Sequence, residues 1–188
     1  MAPRILVLAS GSGTLLQALL DSPLARLMVA VGTDRGDAEA LVRASAHGVA
    51  TFIVDPANFS ARTDWDSALL DAVAAHDPDL VVSAGFMRIL GPEFVAEFSG
   101  RIINTHPALL PSFPGAHAVR DVIAAGVTET GCTVHYIDEG VDTGPIIAQL
   151  RVEIMPGDDE TTLHERIKVA ERTLLISVIT ELIGARSE

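Results

Sequence analysis

Residues 5–20, ILVLASGSGTLLQALL, decide the fold class of this chain. Residues 5–9 form a continuous apolar run, which is typical of a strand covered on both faces of a parallel sheet. The SGSG of residues 10–13 indicates a tight turn, and residues 14–20 have the composition of a helix. A strand, a glycine-rich turn and a helix start together predict an α/β unit. Its helix N-terminus, with free N–H groups, is suited to binding an anion.

The glycine pattern of this turn limits the kind of anion. The turn lacks the third glycine of the dinucleotide fingerprint, and it lacks the Gly-Lys-Ser/Thr of a triphosphate-binding loop. We therefore predict a monophosphate site here. A plain tight turn between a strand and a helix is the alternative.

Strands and helices alternate along most of the chain. Further strands are predicted at residues 27–31, 51–54, 79–83, a fifth one that carries Asn104 and His106, then 131–137 and 144–152. Helices are predicted at residues 38–46, 62–75, a short one from Pro92, 118–125, and about 162–183 with Thr162 to Glu165 as a capping box and Gly184 as its stop. This alternation predicts an α/β fold with a mostly parallel twisted sheet and helices on both faces. The last two strands have no helix between them, which predicts an antiparallel extension.

Asn104 and His106 stand where an apolar run ends. Side chains alternate along a strand, so residues two apart point the same way. Pro107, Pro111 and Pro114 stiffen the loop that follows. An imidazole exchanges protons near neutral pH, and an Asn amide donates to a developing oxyanion, so the pair suggests catalysis. A capping Asn and a core His before a Pro-rich turn are the alternative.

Asp142 lies in the acidic, glycine-rich loop of residues 138–144. In doubly wound sheets, the loops that follow the strands meet at one edge, where ligands bind. The turn at residues 10–13, the segment 87–90 and His106 are therefore expected to converge. A carboxylate beside His106 would stabilise the imidazolium. An Asp that only turns a hairpin is the alternative.

Composition excludes several function classes. The formal net charge of −12 argues against a nucleic-acid partner. Cys132 is the single cysteine, which rules out an internal disulfide and a Cys-based metal site. The six His lack the helical spacing of a zinc pair, so no metal is expected.

The length and hydropathy of the chain predict its organisation and compartment. With 188 residues, it is expected to be a single domain over residues 1–188. No signal peptide and no apolar run near the ~20 residues of a membrane span are found, so we expect a cytoplasmic protein without a membrane partner.

Four motifs together resemble those of the folate-dependent formyltransferases, in particular the glycinamide ribonucleotide branch. They are SGSGT at 10–14, AGFMRIL at 84–90, NTHPALLPSF at 104–113, and residues 138–145. The resemblance covers essentially the whole chain and implies a Rossmann-like formyltransferase fold. It also implies transfer of the formyl group of 10-formyltetrahydrofolate, the co-substrate, to the amine of glycinamide ribonucleotide in purine synthesis.

The same resemblance implies roles for individual residues. Asn104, His106 and Asp142 match the family's catalytic trio: Asn104 steadies the tetrahedral oxyanion, His106 helps to stabilise it and to move protons, and Asp142 holds His106 and orders a water. The implied folate-binding residues are Arg62, Met87, Arg88, Ile89, Leu90, Asn104, Asp138, Glu139, Gly140, Val141 and Asp142. The implied ribonucleotide-binding residues are Gly11, Ser12, Gly13, Thr14, Leu15 and Glu171.

Some points stay open at this stage. Leu15 stands where many family members have Asn, so only its backbone N–H would reach the phosphate. Arg62 could be a solvated helix residue, Glu171 could be surface decoration, and His135 is expected to be a satisfied or exposed strand residue. The late part of the last helix is apolar nearly all round, which fits deep burial or a subunit contact, hence a monomer or a homodimer.

Three other functions compete with this reading. A methionyl-tRNA formyltransferase would need a further C-terminal module and a basic surface. A formyltetrahydrofolate hydrolase would carry an additional N-terminal domain. A non-catalytic phosphate-binding module would leave the pairing of His106 and Asp142 unexplained.

Overall fold

The predicted α/β sheet is present in the computed structural model, which describes residues 2–185. Its seven strands run in the order β3-β2-β1-β4-β5-β6-β7. The strands are β1 (Ile5–Leu8), β2 (Met28–Thr33), β3 (Thr51–Ile53), β4 (Leu80–Ser83), β5 (Ile102–His106), β6 (Glu129–Tyr136) and β7 (Ile146–Glu153). The helices are α1 (Thr14–Leu20), α2 (Glu39–Ala46), α3 (Arg62–Ala74), α4 (Pro92–Glu97), α5 (Ala118–Ala125) and α6 (Glu160–Ala185), with short 3-10 helices at Pro23–Leu27 and Pro56–Asn58.

β1 is the centre of a parallel set of strands. It pairs in parallel with β2 and β4, and β2 pairs in parallel with β3. The residues of β1 are at most 1% exposed, because helices cover a strand in this position on both faces. The continuous apolar run at the start of the chain is explained by this burial.

β6 and β7 form the antiparallel pair that the sequence predicts. β6 is buried along most of its length, whereas β7 is largely exposed. The register places Cys132 opposite Leu150, and it shifts between Val134 and His135, where His135 faces Ile146. The extra residue, Ile147, is on β7, and a shift of this kind bends the strand that carries it.

Both predicted boundaries of the last helix are wrong. α6 begins at Glu160, and Asp159 caps it: the Asp159 carboxylate accepts from the backbone N–H of Thr162 at 2.8 Å. An Asp one turn ahead satisfies the open N–H groups before Thr162 can act as the cap. At the other end, α6 continues through Gly184 to Ala185. Gly184 does not adopt the positive φ by which a glycine terminates a helix.

The chain divides into two compact units, one that reaches to Ile103 and a second that begins at Asn104. The first contains the parallel strands β1 to β4. The second contains the β6–β7 pair and α6, and its core includes Ala108, Val122, Cys132, Leu163 and Ile167. The single-domain organisation stays a prediction. Within residues 2–185, no helix combines the length and the hydropathy that crossing a membrane requires.

Candidate active site

His106 ends β5 with an oxygen next to each of its ring nitrogens. Its Nε2 lies 2.8 Å from the carbonyl oxygen of Phe113, which can only accept, so this nitrogen donates. Its Nδ1 lies 3.3 Å from Oδ2 of Asp142. The residue is 4% exposed. Both N–H groups of a protonated imidazole would therefore have an oxygen partner, one of them a carboxylate, in a site largely shielded from water.

Asp142 connects two imidazoles. Oδ2 faces His106 and also accepts from the backbone N–H of Gly115 at 2.8 Å, while Oδ1 lies 3.6 Å from Nε2 of His135. A hydrogen bond from His135, in the form with a proton on Nε2, would lower the pKa of Asp142 most. The Gly115 N–H and the charge of His106 lower it in either form, against a rise from partial burial. The carboxylate is thus kept ionised beside His106.

Asn104 lies on the same strand as His106, two residues earlier. Its amide nitrogen lies 3.3 Å from Nε2 of His135, and Nδ1 of His135 lies 2.9 Å from the carbonyl oxygen of Tyr136. The structure therefore brings together the three residues of the predicted catalytic trio. The role of each of them stays a prediction.

His135 is a member of this cluster that sequence reasoning missed. It is 2% exposed and satisfied by hydrogen bonds, as a strand residue is expected to be, but one of its two partners is the amide of Asn104 and the Asp142 carboxylate lies only 3.6 Å from its Nε2. A signal was available in the sequence: Thr133 and His135 are polar at alternate positions of a buried strand, so they share one face. A polar stripe on a buried strand needs polar partners.

The two residues that contact the ring nitrogens of His106 both have a left-handed backbone conformation. Phe113, whose carbonyl accepts the hydrogen bond from Nε2 of His106, and Asp142 each have φ of 55°. This region is uncommon for residues other than glycine, and such conformations cluster at functional sites. The loop that carries Asp142 is held from within by Asp138, whose Oδ1 accepts from the Gly140 N–H at 3.0 Å and from the Thr143 hydroxyl at 2.7 Å. The exposed members of the loop, Glu139, Gly140 and Val141, surround this turn.

Glu171 is buried, not surface decoration. It is 8% exposed on α6, and its Oε1 accepts from the hydroxyl of Thr105 at 2.5 Å. Thr105 lies between Asn104 and His106 on β5, so it points to the opposite face. Burial raises the pKa of Glu171, although the hydrogen bond from Thr105 opposes this. A buried carboxyl group with one short hydrogen bond keeps acceptor capacity for a further hydroxyl group.

The glycine-rich turn lies in the first unit, at the start of α1. Gly13 is the residue before this helix, with φ of 64°, and no side chain caps the helix. The carbonyl of Gly11 accepts from the Ala40 N–H at 3.2 Å, and that of Ser12 accepts from Nε of Arg43 at 2.7 Å. Residues of α2 thus form hydrogen bonds with the carbonyl oxygens of the turn, which would otherwise repel an anion. The first N–H groups of α1 have no partner within the helix.

The segment of residues 86–90 is connected to the same turn. The Met87 N–H donates to the hydroxyl of Ser10 at 2.8 Å, and Ser10 donates from its backbone to the carbonyl of Gly85 at 3.1 Å. Met87 and Ile89 expose 77% and 66% of their surface, which leaves two large apolar side chains without protein cover. Leu90 is buried.

Two arginines predicted to bind folate are fixed by neighbours in this unit. Arg62 donates from Nε to Asp66 at 2.8 Å and from its terminal nitrogen to the carbonyl of Ile89, so it is not a freely solvated helix residue. Arg88 donates from Nε to Oδ2 of Asp34 at 2.6 Å, while Oδ1 of Asp34 is buried without a hydrogen bond. Sequence reasoning missed Asp34, since an acid after a strand resembles any turn residue.

The described residues include no group of three or more His, Cys, Asp or Glu side chains arranged to hold a metal ion. The cluster around Asp142 consists of two imidazoles, one amide and one carboxylate. Such a set can donate hydrogen bonds to a developing oxyanion and exchange protons with it.

Comparison with known proteins identifies the family. The model of the formyl transferase family matches residues 3–179. This chain belongs to the formyl transferase family. It is 56% identical over 182 residues to phosphoribosylglycinamide formyltransferase of Mycobacterium tuberculosis, across 95% of this chain and 84% of that one.

Other members of the family give the same picture. A trifunctional purine biosynthetic protein adenosine-3 of Drosophila pseudoobscura is 44% identical over 174 residues, which are 89% of this chain and 13% of that protein. The crystal structure of glycinamide ribonucleotide transformylase 1 from Symbiobacterium toebii superposes with a TM-score of 0.94 at 41% identity, covering 98% of this chain and 89% of that chain. The resemblance found in the motifs is thereby confirmed at the level of the whole chain, together with the fold.

Proposed function

We propose that this formyl transferase moves the formyl group of 10-formyltetrahydrofolate to the amine of glycinamide ribonucleotide, a step of purine biosynthesis. The products are formylglycinamide ribonucleotide and tetrahydrofolate. The observation that carries the proposal is the Asn104–His106–Asp142 cluster, with 3.3 Å between the His106 imidazole and an ionised carboxylate. The names of the relatives support the same reaction.

The reaction requires a tetrahedral intermediate. The substrate amine attacks the formyl carbon, the new C–N bond forms, and the carbonyl electron pair becomes an oxyanion. Asn104 donates an N–H to this oxyanion, and the His106 imidazolium stabilises its charge. The amine then loses a proton and N10 of the folate gains one, so that the bond from the formyl carbon to N10 breaks with tetrahydrofolate as the leaving group.

Asp142 serves this proton transfer in two ways. It fixes the ring of His106 through Nδ1, and its lowered pKa keeps it ionised to stabilise a proton on the imidazole. Both nitrogens of His106 are engaged in this structure, with Phe113 and Asp142. Direct proton exchange with the substrate therefore requires one of these contacts to open, or a water that Asp142 orders.

Substrate binding uses the remaining residues. We assign the ribonucleotide phosphate to Gly11, Ser12, Gly13, Thr14 and Leu15, because α2 binds the carbonyls of the turn and no side chain caps α1. Leu15 offers only its backbone N–H. Glu171 accepts from a ribose hydroxyl with the capacity that Thr105 leaves unused.

The reduced folate lies along two backbone segments in this proposal. One comprises Met87, Arg88, Ile89 and Leu90, of which Met87 and Ile89 have exposed apolar side chains that suit a flat ring. The other is the loop of residues 138–142, preorganised by the hydrogen bonds of Asp138. Arg62 supports the first segment through the Ile89 carbonyl.

The wider setting of the enzyme is also part of the proposal. We infer a single formyltransferase domain that works in the cytoplasm as a monomer or a homodimer, with small-molecule substrates and without a metal. An acidic chain of net charge −12 does not favour a nucleic-acid substrate.

Incubation with 10-formyltetrahydrofolate, with and without glycinamide ribonucleotide, tests the function. We expect formylglycinamide ribonucleotide and tetrahydrofolate in equal amounts, and no formyl loss without the amine. Formate release without the amine would instead indicate the hydrolase. Ribonucleotide binding with no turnover and no binding of a folate analogue would indicate a phosphate-binding module. The relatives reported above favour neither of these two.

A further inference from the structure

The hydrogen bonds of His135 point to a role that no residue of the predicted trio fills. We propose that His135 is a positioning residue: its neutral tautomer holds the amide of Asn104 in the one orientation that keeps nitrogen, rather than oxygen, at the donor position. The proposal rests on the proposed function, because it concerns the group that stabilises the oxyanion of formyl transfer.

The carbonyl of Tyr136 sets the tautomer. Nδ1 of His135 lies 2.9 Å from this oxygen, which has no hydrogen to give. Nδ1 must therefore carry the proton, and in the neutral ring Nε2 is left with a lone pair. A neighbour of Nε2 at hydrogen-bond distance must donate to it.

That neighbour is Asn104. Its Nδ2 lies 3.3 Å from Nε2 of His135, and one N–H of the amide satisfies the lone pair. The second N–H of the same nitrogen stays available for an oxyanion. If the amide flipped, its oxygen would face the lone pair of Nε2, and an oxygen would also occupy the position from which a donor must reach the substrate.

The charged form of His135 would produce the opposite orientation. A proton on Nε2 would face Oδ1 of Asp142 at 3.6 Å and would attract the amide oxygen of Asn104. The charged and titratable groups near the ring are Asp142, on the loop before β7, and His106 on the far side of that carboxylate. The Asn104 nitrogen, which lies closer to Nε2 than Asp142 does, fits the neutral ring.

The pairing of β6 with β7 is irregular beside His135. His135 is 2% exposed, and the register of β6 against β7 shifts between Val134 and His135. β6 advances by one residue here and β7 by two, so the extra residue, Ile147, lies on β7 opposite His135, and irregularities of this kind occur often beside active sites. Here the shift coincides with the one histidine of β6.

Substitutions separate positioning from stability. We expect His135→Leu to lower kcat by about 10- to 100-fold, because removing an oxyanion donor outright costs about 100- to 1,000-fold and a misoriented amide keeps part of its function. KM for either substrate should change by less than about 3-fold, because the contact of Asn104 with the oxyanion forms only in the transition state. His135→Gln, whose side-chain oxygen can accept where Nε2 does, should recover most of the rate. His164→Leu, a partly buried histidine of α6 outside the cluster, is the matched control and should retain the wild-type kcat.

A double-mutant cycle identifies the residue through which His135 acts. In an Asn104→Ala background, His135→Leu should change kcat by less than about 2-fold, because two residues that act as a unit are not additive. Equal losses in the wild-type and Asn104→Ala backgrounds would overturn the proposal. So would a His135→Leu variant with the wild-type kcat.

A spectroscopic measurement covers the case in which His135→Leu fails to fold. Nitrogen-15 NMR of wild-type protein labelled at histidine reports which ring nitrogen carries hydrogen. We expect the Nδ1–H tautomer for His135 at about pH 7.5, and the Nε2–H tautomer or the doubly protonated ring would refute the proposal. The spectrum does not depend on catalysis, so it reports the tautomer of His135 whether or not the protein transfers a formyl group. A wild-type protein without formyl transfer would contradict the proposed function alone.

Discussion

Replacing Gly13 by Ala should destabilise the first unit by a magnitude that the structure sets. Gly13 has φ of 64°, and a Cβ built on it would lie 2.9 Å from the Cα of Ala40 and 3.0 Å from its Cβ. A left-handed conformation costs an L-residue about 1–2 kcal/mol. A backbone atom cannot rotate away as a flexible side chain can, so overpacking adds about 1–3 kcal/mol. We expect a total loss of about 2–5 kcal/mol.

Two other glycines separate these contributions. Gly48 also has a positive φ, of 70°, but nothing lies within 4 Å of its added Cβ, so Gly48→Ala should show the conformational part alone, about 1–2 kcal/mol. Gly11, in the same turn, has neither feature. Gly11→Ala should therefore change stability by less than about 1 kcal/mol.

Urea unfolding followed by tryptophan fluorescence measures these differences, because Trp65 is the single tryptophan and is buried in the first unit. Gly13→Ala should also raise KM for glycinamide ribonucleotide, since the added methyl group shifts the start of α1. If Gly13→Ala and Gly48→Ala lose the same free energy of unfolding, α2 does not approach the turn as closely as described. The argument that α2 binds the carbonyl oxygens of the turn would then fail as well.

Three further predictions concern buried or paired groups. Hydrogen bonds from Arg166 lower the pKa of Asp158 to about 2, so the ionised carboxylate stabilises the folded protein fully above pH 4 and this stabilisation is lost as the pH falls towards 2. The free energies of unfolding of Asp158→Asn and of the wild type should therefore converge between pH 4 and pH 2. A difference that stays constant over this range would contradict the pairing. Burial raises the pKa of Glu171, so ionisation of this carboxyl group destabilises the folded state as the pH rises. Glu171→Gln should therefore be more stable than the wild type at pH 8 but not at pH 4, and it should have a higher KM for the ribonucleotide. Equal stability of the two proteins at both pH values would count against the buried charge. Burial raises the pKa of Cys132 to about 12, so iodoacetamide at pH 8 should label the chain only after unfolding in urea, and rapid labelling of the native protein would refute the burial.

The elements that the sequence predicted well are those in which a local pattern and the tertiary environment agree. The apolar run of β1 is buried on both faces, and Gly13 turns the chain with a positive φ before α1. The proximity of His106 and Asp142 was predicted only with the family resemblance, because 36 positions separate them in the chain. Neither periodicity nor composition carries information over that distance.

The parts that were missed depend on tertiary contacts or on competing local bonds. His135 was assigned to the ordinary strand residues, since a single histidine on a strand does not show which partners it meets. The start of α6 was misplaced because Asp159 and Thr162 are both good caps, and the side-chain bonds of Asp159 decide between them. The burial of Glu171 depends on the packing of α6 against β6 and β7.

The central claim is that the carboxylate of Asp142 enables the chemical step through His106. The single-turnover rate of formyl transfer by Asp142→Asn, compared with Asp121→Asn, tests it most directly, because Asp121 is an exposed acid of α5 that pairs with Arg120. We expect the Asp142 variant to lose at least about 100-fold in rate, as when a key stabilising group is removed, while its affinity for a folate analogue changes little and the Asp121 variant keeps the wild-type rate. A wild-type rate for Asp142→Asn would contradict the account.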